Sequence, residues 1–335
     1  MKSPFTGLPI AKNVALKRPI AVMVDGSKAA LPQSGLQCAS VVFSASVEGD
    51  IPRYMAVFLD EIPTKVGPIR SARPYYIDWA CPYQPFYVHC GGSPKALERL
   101  WNEKGIVNID YIYLINGKGR ETEVSNYQFF HRTKDRKSPH NLYIDLQHFQ
   151  KEVSKKSAIG ELHSDIANFS AYESIPHDWT PKNVSLIHNL EITRKQLLNH
   201  KKKIFFNYSK KKQKFERLFY CEESKKWQPH MDQNTSDIIS IDNLVVIETG
   251  HDVIKGDLKG RVMIKTLSRG KAWFCMNGFM TKGSWLKITA DTAIRFFDLK
   301  GQRIKFKPGN IWIEVISRKE KVKILSASEL SPQSH

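Results

Sequence analysis

The second half of the chain alternates short apolar stretches with turn residues, and this pattern restricts the possible fold most. From about residue 183, stretches such as FERLFYC, LVVIETG and NIWIEVIS recur at intervals of roughly 8–12 residues. MNG at 276–278 and DLKGQ at 298–302 read as hairpin turns, where glycine supplies the positive φ. The pattern predicts a β sandwich or barrel in this half.

The first half mixes strand and helix patterns. Strands are predicted for PIAVMVDG (19–26), PFYVHC (85–90) and YIYLING (111–117), and ASVVFSASVEG and RYMAVFLDEI follow each other at hairpin spacing. Helices are predicted for SPKALERLWNEKG (93–105), with Ser93 as N-cap, and for DLQHFQKEVSKK (145–156). The predicted fold class is therefore α+β, with a mixed-sheet α/β N-terminal domain under covering helices and a mostly-β C-terminal domain.

A length of 335 residues favours two domains. We predict a mixed α/β domain at 1–165, a linker at 166–182, an all-β domain at 183–322 and a tail at 323–335. The linker segment lacks periodicity and contains two prolines. No apolar stretch is long enough for a membrane span, and neither a signal-peptide core nor a lipobox cysteine is visible in the chain as given.

The chain is basic, with a net charge of +18. Half of that excess lies in residues 194–217, which hold ten Lys or Arg and one Glu. Such a run is typical either of a solvated face or of a surface that binds polyanions without sequence preference. The predicted polyanion surface consists of six lysines: Lys201, Lys202, Lys203, Lys210, Lys211 and Lys212.

The five cysteines are an odd number and form no CxxC pair, so the usual zinc and thioredoxin spacings are excluded. We expect buried single thiols. Cys90 precedes Gly91 and Gly92, but no His-Asn or His-Asp pattern that would activate a nucleophile accompanies it. The sequence predicts no cofactor and no metal site, and it identifies no catalytic residue.

The segment GPIRSARPYY (67–76) places two arginines on a loop after a predicted strand. Pro68 and Pro74 stiffen this loop, so a planar guanidinium could grip two phosphate oxygens at little ordering cost. We predict a phosphate clamp formed by Arg70 and Arg73, with Arg53 as part of the opposite wall. The alternative is structural, with one arginine buried and paired with a carboxylate of Asp60, Asp78 or Glu48.

Two further loops carry groups that bind anions. In YVHCGGSPKALERL, the glycines precede a helix whose first N–H groups could hold an anion, although a tight turn needs the same glycines. FFHRTKDRKSPHNLY could be a surface segment or a third wall of the same cleft. The candidate ligand-binding residues are Arg53, Arg70, Arg73, Tyr75, His89, Gly91, Gly92, Ser93, Arg132, His140 and Asn141.

The elements GPIRSARPYY, GGSPKA and PHNLY, with the C-terminal strands, resemble the YerB-like family of bacterial lipoproteins over about residues 4–316. That family has two domains and no known function. The resemblance implies a protein on the extracytoplasmic face of the bacterial membrane. Ser40 and Ser44 stand where the family usually carries acidic residues, so a metal role of those positions is not expected here.

A more distant likeness, at the level of the fold, is to the LytR-CpsA-Psr family of envelope transferases. Three interpretations follow. The first is a cell-envelope protein that binds an anionic, phosphate-containing ligand, lipid-linked or part of a wall polymer, in its N-terminal domain. The second is a phosphoryl or glycopolymer transferase in the same pocket. The third is a nucleic-acid-binding protein that uses the lysine run.

Overall fold

The computed structural model describes residues 1–116, 128–154, 185–187, 189–195 and 201–325, so the predicted linker at 166–182 lies outside the described residues. The helices are α1 Lys12–Ala15, α2 Pro74–Ala80, α3 Pro94–Asn102, α4 Tyr111–Ile115 and α5 Leu146–Val153. Within the described ranges, no helix is long and apolar enough to cross a membrane.

The strands fall into two groups along the chain. The first group is β1 Ile20–Asp25, β2 Val41–Ser46, β3 Pro52–Phe58, β4 Lys65–Val66, β5 Phe86–His89, β6 Val107–Asp110, β7 Phe130–Arg132 and β8 Leu142–Asp145. The second group is β9 Ser185–Leu186, β10 Asn189–Lys195, β11 Lys201–Ser209, β12 Lys214–Cys221, β13 Lys226–Pro229, β14 Ser240–Ile241, β15 Asn243–Thr249, β16 His251–Val253, β17 Val262–Ile264, β18 Ser268–Met276, β19 Phe279–Lys287, β20 Arg295–Asp298, β21 Ile311–Ser317 and β22 Lys321–Leu325. This content confirms the predicted α+β class.

One eleven-stranded sheet runs through both halves of the chain in the order β20-β19-β18-β15-β21-β2-β3-β1-β5-β6, with β9 beside β19. The two halves join where β2 pairs in parallel with β21, from Val41 opposite Ile311 to Ser44 opposite Glu314. A six-stranded sheet of β10–β14 and β22 forms a second layer. The boundaries predicted at 165 and 183 stay predictions, but strands from both sides of them share this sheet.

The central strands of the large sheet are buried along almost their whole length, because both faces of the sheet are covered. On one face, α2 packs against the sheet, and the ring of Trp79 stacks on Phe43 at 5.2 Å between centroids. On the other face, Phe149 of α5 belongs to the same apolar cluster as Phe206 of the second sheet. All five cysteines are free; Cys81, Cys221 and Cys275 are buried, and Cys38 and Cys90 are half-buried.

Most predicted elements are confirmed, but the strand predicted at 111–117 is wrong, because Tyr111–Ile115 forms helix α4. The carboxylate of Asp110 accepts a hydrogen bond from the backbone N–H of Ile112, at 3.0 Å, and this N-cap starts a helix in an apolar aromatic run. The sequence analysis also missed β6 and α2. Pro74, expected to stiffen a loop, occupies the first turn of α2.

The pairing of β2 with β21 leads to a prediction about truncation. A fragment ending at residue 165 lacks β21, so it would expose one edge of β2, whose residues are all buried in the full chain. Because an unpaired apolar edge recruits other chains, we expect the fragment to aggregate and to regain solubility when co-expressed with residues 183–335. Size-exclusion chromatography of both preparations measures this. A monomeric fragment 1–165 with cooperative unfolding would contradict it.

Candidate functional site

Three strands of the large sheet end at one edge, close to the three loops that the sequence analysis selected. β5 runs parallel to both β1 and β6, so the carboxyl ends of these strands lie side by side. The loop after β4 reaches this edge, where the backbone N–H of Arg70 donates to the carbonyl of Met23 at 2.9 Å. In turn, the N–H of Cys90 donates to the carbonyl of Arg70 at 3.1 Å. Ligands of α/β sheets bind preferentially at such edges.

Asp25, the last residue of β1, organises this edge. Its carboxylate is buried, and Oδ2 lies 2.7 Å from Nδ1 of His140 and 3.3 Å from Nε of Arg70. Its other oxygen, Oδ1, accepts from the backbone N–H of Ser27 at 2.9 Å. Since an ionised carboxylate only accepts hydrogen bonds, Nδ1 of His140 carries a proton. Nε2 of His140 is then the ring nitrogen that can meet a ligand.

The guanidinium of Arg70 is held on one side only. Nε faces Asp25, and the side chain is 25% exposed. Within the described residues, the guanidinium of Arg70 forms no hydrogen bond, and the contact of Nε with Asp25 is an ion pair at 3.3 Å. Its two terminal nitrogens are thus oriented by the contact at Nε and remain available for a bidentate contact with an oxyanion.

Arg132, on β7, adds a second cation near this edge. Nη1 of Arg132 donates to Oδ1 of Asn141 at 2.8 Å, and Nδ2 of Asn141 donates to the carbonyl of Thr133 at 2.9 Å. The guanidinium also lies over the ring of Tyr111, 5.4 Å from the centroid. We call Asp25, Arg70, Arg132 and His140 the strand-end cluster.

The thiol of Cys90 lies within electrostatic reach of this cluster. Burial raises the pKa of Cys90 to about 11, and the charge of Asp110 acts in the same direction. Arg132 and Arg70 oppose that shift, which places both cations near the same sulfur. This raised pKa favours the protonated thiol at neutral pH, which is the less nucleophilic form.

Arg73, predicted as half of the clamp, is engaged inside the protein. Nε of Arg73 donates to Oε2 of Glu48 at 3.0 Å, Nη2 donates to Oε1 of the same carboxylate, and Nη1 donates to the carbonyl of Ala72 at 2.7 Å. The side chain is buried. The structure thus favours the structural alternative for Arg73, with Glu48 as its carboxylate.

Backbone N–H groups at the helix start around Gly91 and Gly92 also form hydrogen bonds within the protein. The N–H of Gly91 donates to Oδ1 of Asp110 at 2.8 Å, and the N–H of Ser93 donates to the carbonyl of Ala72 at 3.3 Å. Gly91 needs to be glycine because its φ is +63°. Two of the backbone donors predicted for an anion are consequently engaged within the protein.

His89 lies beneath this turn and is fully buried. Its Nδ1 is 2.8 Å from the carbonyl oxygen of Gly91, and its Nε2 is 2.6 Å from Oδ1 of Asn108. Both ring nitrogens of His89 therefore contact the protein itself. This predicted ligand-binding residue supports the turn from below.

Several buried polar atoms near this edge have no hydrogen-bond partner among the described residues. They are Nε of Arg53, the hydroxyls of Tyr75, Tyr87 and Ser93, and Oδ2 of Asp110, whereas Nε of Arg70 has its ion pair with Asp25. Each such group costs about 1–3 kcal/mol, so a concentration of them requires an explanation such as an ion or a ligand. We call Arg53, Tyr75, Tyr87 and Ser93 the buried polar wall.

Arg53 is the charged member of the buried polar wall. Only 3% of the residue is exposed, and its Nη1 donates to the carbonyl of Ser71 at 2.9 Å. Burial lowers its pKa, and the neighbouring charge of Arg73 lowers it further. The carboxylate of Glu48, which is paired with Arg73, acts in the opposite direction and raises the pKa of Arg53 through its charge. Two cations beside one carboxylate favour a further negative charge nearby.

The sequence analysis missed Asp25, Tyr87 and Asp110. Each of the two aspartates is the last residue of a strand that is otherwise largely apolar. A polar residue at the end of an apolar strand is the sequence pattern that could have identified them. Tyr87 lies in the middle of the apolar stretch PFYVHC, so nothing in the sequence distinguished it from a core residue.

The lysine run lies on the hairpin of β11 and β12 and its turn, as predicted for the β-rich half. Lys210 and Lys211 are exposed at the turn, whereas Lys203 pairs with Glu191 at 3.3 Å and Lys212 with Glu216 at 2.9 Å. The side chains of Lys201 and Lys202 lie outside the described part of the structure. Binding of polyanions by this surface stays a prediction.

Comparison with known proteins gives the same family for both halves of the chain. Residues 5–159 match the "Protein of unknown function (DUF3048) N-terminal domain", and residues 194–313 match the corresponding C-terminal domain. A Bacillus subtilis (strain 168) protein described as "Putative lipoprotein YerB" is 29% identical over 317 residues, which are 94% of this chain and 86% of the relative.

A solved structure agrees with this result. The crystal structure of the YerB protein from Bacillus subtilis matches with a TM-score of 0.76 at 25% identity, and the match covers 96% of this chain and 99% of that one. The resemblance to the YerB-like family is confirmed. This chain belongs to the DUF3048 family, whose members are described as proteins of unknown function.

Proposed function

We propose that this protein is a bacterial cell-envelope protein that binds an anionic, phosphate-containing ligand at the strand-end cluster. The observation that carries the proposal is Arg70, whose Nε faces the buried Asp25 and whose guanidinium forms no hydrogen bond with a described residue. The name of the relative, which calls it a lipoprotein, supports a place at the outer face of the membrane.

The chemistry of the cluster fits a phosphate better than a carboxylate. The fork of Arg70 can hold two oxygens of a tetrahedral anion, and Arg132 can hold a third from another direction. His140 would add a further polar contact through Nε2, because Asp25 accepts from Nδ1 and fixes the orientation of the ring. A pyrophosphate offers enough oxygens for all of these donors.

The buried polar wall suggests how a second phosphate would be recognised. The hydroxyls of Tyr75 and Ser93 and Nε of Arg53 have hydrogens to donate and no acceptor among the described residues. Small shifts of α2 and of the turn at Gly91 would present them to an anion bound by Arg70. Arg53, Tyr75 and Ser93 thus keep the ligand-binding role predicted from the sequence, whereas Arg73 supports the loop.

Titration of inorganic pyrophosphate, followed by isothermal calorimetry, tests this proposal. We expect the wild-type protein to bind and Arg70→Gln to bind at least about tenfold more weakly, since a charge-assisted hydrogen bond contributes about 1.5–3 kcal/mol. Arg318→Gln removes the same charge from an exposed site after β21 and serves as the matched control. Equal affinity of Arg70→Gln and wild type would contradict the proposal.

The same assay distinguishes the two sources of phosphate. Farnesyl pyrophosphate represents a lipid-linked ligand, and a glycerol-phosphate oligomer represents a wall polymer. A lipid-linked ligand predicts tighter binding of farnesyl pyrophosphate than of inorganic pyrophosphate, because the apolar tail adds buried area. A wall polymer predicts that affinity grows with oligomer length instead.

A further inference from the structure

A short hairpin projects from the large sheet between β15 and β18. Its strands β16 and β17 pair only with each other among the described residues, from His251 opposite Ile264 to Val253 opposite Val262. Ile264 is buried and anchors the base of the hairpin. We call residues 250–265 the basic-apolar hairpin.

The outer part of the basic-apolar hairpin is apolar and exposed. Leu258, at the apex, is fully exposed, and Met263, Val253 and Ile254 are 60%, 44% and 38% exposed. Single exposed apolar residues are common, but four within eleven positions of one protruding loop are characteristic of an interaction surface. Gly256 and Gly260 have positive φ, and a Cβ at either position would have no atom from elsewhere in the chain within 4 Å, so the apex stands away from the protein body.

Most charged residues of the basic-apolar hairpin are basic, and its acidic residues are the exposed Asp252 on β16 and Asp257 at the apex. Lys255, Lys259 and Lys265 are exposed and form no ion pair with any described residue. The acidic residue at the apex, Asp257, is neutralised by Arg261 at 2.7 Å, and its Oδ1 accepts from the backbone N–H groups of Lys259 and Arg261. The hairpin therefore presents an apolar tip flanked by the unpaired Lys255 and Lys259, with Lys265 at its base and more basic than acidic residues along its length.

We propose that the basic-apolar hairpin docks on a lipid surface that carries anionic headgroups. Leu258 and its apolar neighbours would enter the boundary between headgroups and acyl chains, while the lysine ammonium groups stay at the phosphates. A fluid bilayer accepts a narrow protruding loop without a shaped counterpart, whereas a protein partner would need a complementary surface of roughly 800 Å². The charge of the loop selects anionic over neutral lipid.

Co-sedimentation with vesicles tests the proposal on the full chain. We expect the wild type to bind vesicles that contain phosphatidylglycerol and to ignore pure phosphatidylcholine vesicles. Leu258→Asp should weaken binding at least about tenfold, because it removes one inserted leucine and adds a repelled charge. Leu258 is fully exposed, so this variant should keep the melting temperature of the wild type.

Leu299→Asp is the matched control. Leu299 is 76% exposed in a turn after β20, whose last residue Asp298 pairs with Gly283. The basic-apolar hairpin lies near the opposite end of β19, where Lys287 pairs with Ser268. Leu299 is therefore remote from the hairpin. We expect Leu299→Asp to bind vesicles like the wild type, and Lys255→Gln with Lys259→Gln to lose binding as Leu258→Asp does.

Three results would overturn the proposal: no binding of the wild type to phosphatidylglycerol vesicles, equal binding to both kinds of vesicle, or unchanged binding of Leu258→Asp. Arg70→Gln separates this surface from the strand-end cluster. The variant should keep vesicle binding while it loses pyrophosphate, and loss of vesicle binding in Arg70→Gln would assign the lipid contact to the strand-end cluster instead.

Discussion

Replacing Arg73 with alanine is expected to lower the free energy of unfolding by about 3 kcal/mol, the lower end of the range for a broken buried ion pair. Arg73 is buried, and two of its nitrogens donate to the carboxylate of Glu48. The variant loses these bonds and leaves Glu48, 26% exposed, without its partner. Arg70→Ala should cost about 1 kcal/mol, because the side chain is partly exposed and Asp25 keeps its contact with His140.

Urea denaturation of both variants measures the difference. Arg73→Lys is the control for charge, since lysine keeps the cation but cannot form the two parallel bonds of a guanidinium. We expect Arg73→Lys to fall between the wild type and Arg73→Ala. Equal small losses for Arg73→Ala and Arg70→Ala would show that the pair with Glu48 does not support the loop.

The second large effect concerns acid stability and His230, a fully buried residue of the C-terminal half. Nη1 of Arg217 lies 2.7 Å from Nδ1 of His230, and Nε2 of His230 lies 2.6 Å from Oε1 of Gln33. Arginine can only donate hydrogen bonds, so Nδ1 of His230 must accept one from Arg217, and Nε2 must donate one to Gln33. The contacts of His230 therefore require the neutral imidazole.

Burial lowers the pKa of His230 well below its usual value, and the charge of Arg217 lowers it further. The unfolded chain takes up a proton near pH 6.5, whereas the folded protein does not, so stability falls as the pH drops below that value. Each pH unit can cost up to about 1.4 kcal/mol. We therefore expect stability to fall progressively as the pH is lowered from about 6.5 to about 5, with His230 contributing to that loss.

His230→Gln is the matched variant for this measurement. A glutamine can accept from Arg217 through its carbonyl oxygen and donate to Gln33 through its amide, but it does not titrate. Urea denaturation across the pH range should show a smaller acid loss in His230→Gln than in the wild type. Parallel pH profiles of the two proteins would contradict the neutral state of His230.

The hydrogen bonds of His230 also connect the second layer to the candidate site. Gln33, its partner, donates from Nε2 to the backbone carbonyl of Asp25 at 2.8 Å. Asp25 is the residue that orients Arg70 and His140. The C-terminal half thereby supports the strand-end cluster without contributing a side chain to it.

The sequence analysis correctly predicted those helices and strands that form mainly through local interactions. β1 and α3 were found because an apolar run and a Ser-Pro helix start identify them without reference to the rest of the chain. The run YIYLI was misread because its residues favour strands, and the cap at Asp110 outweighed that preference. The pairing of β2 with β21 joins residues about 270 positions apart, and no local pattern reports it.

The candidate site was predicted only in part, because local patterns identify its loops but not the long-range contacts of its side chains. The three loops could be placed at strand ends from their order alone, and they do meet at one edge of the sheet. Which arginine points into the protein depended on Glu48, which lies in the turn between β2 and β3. The position of that turn relative to the arginine loop is set by packing of the whole sheet.

The proposed role of Arg70 is tested most directly by the ¹H–¹⁵N signals of arginine Nε–H groups during a titration with inorganic pyrophosphate. Arg70→Gln and Arg73→Lys assign the two signals by their disappearance. The account predicts that the chemical shift of the Arg70 signal changes with ligand concentration. The chemical shift of the Arg73 signal should stay constant, because its Nε–H already donates to Glu48. Binding of pyrophosphate with a stationary Arg70 signal, or with a shift of Arg73 instead, would contradict it.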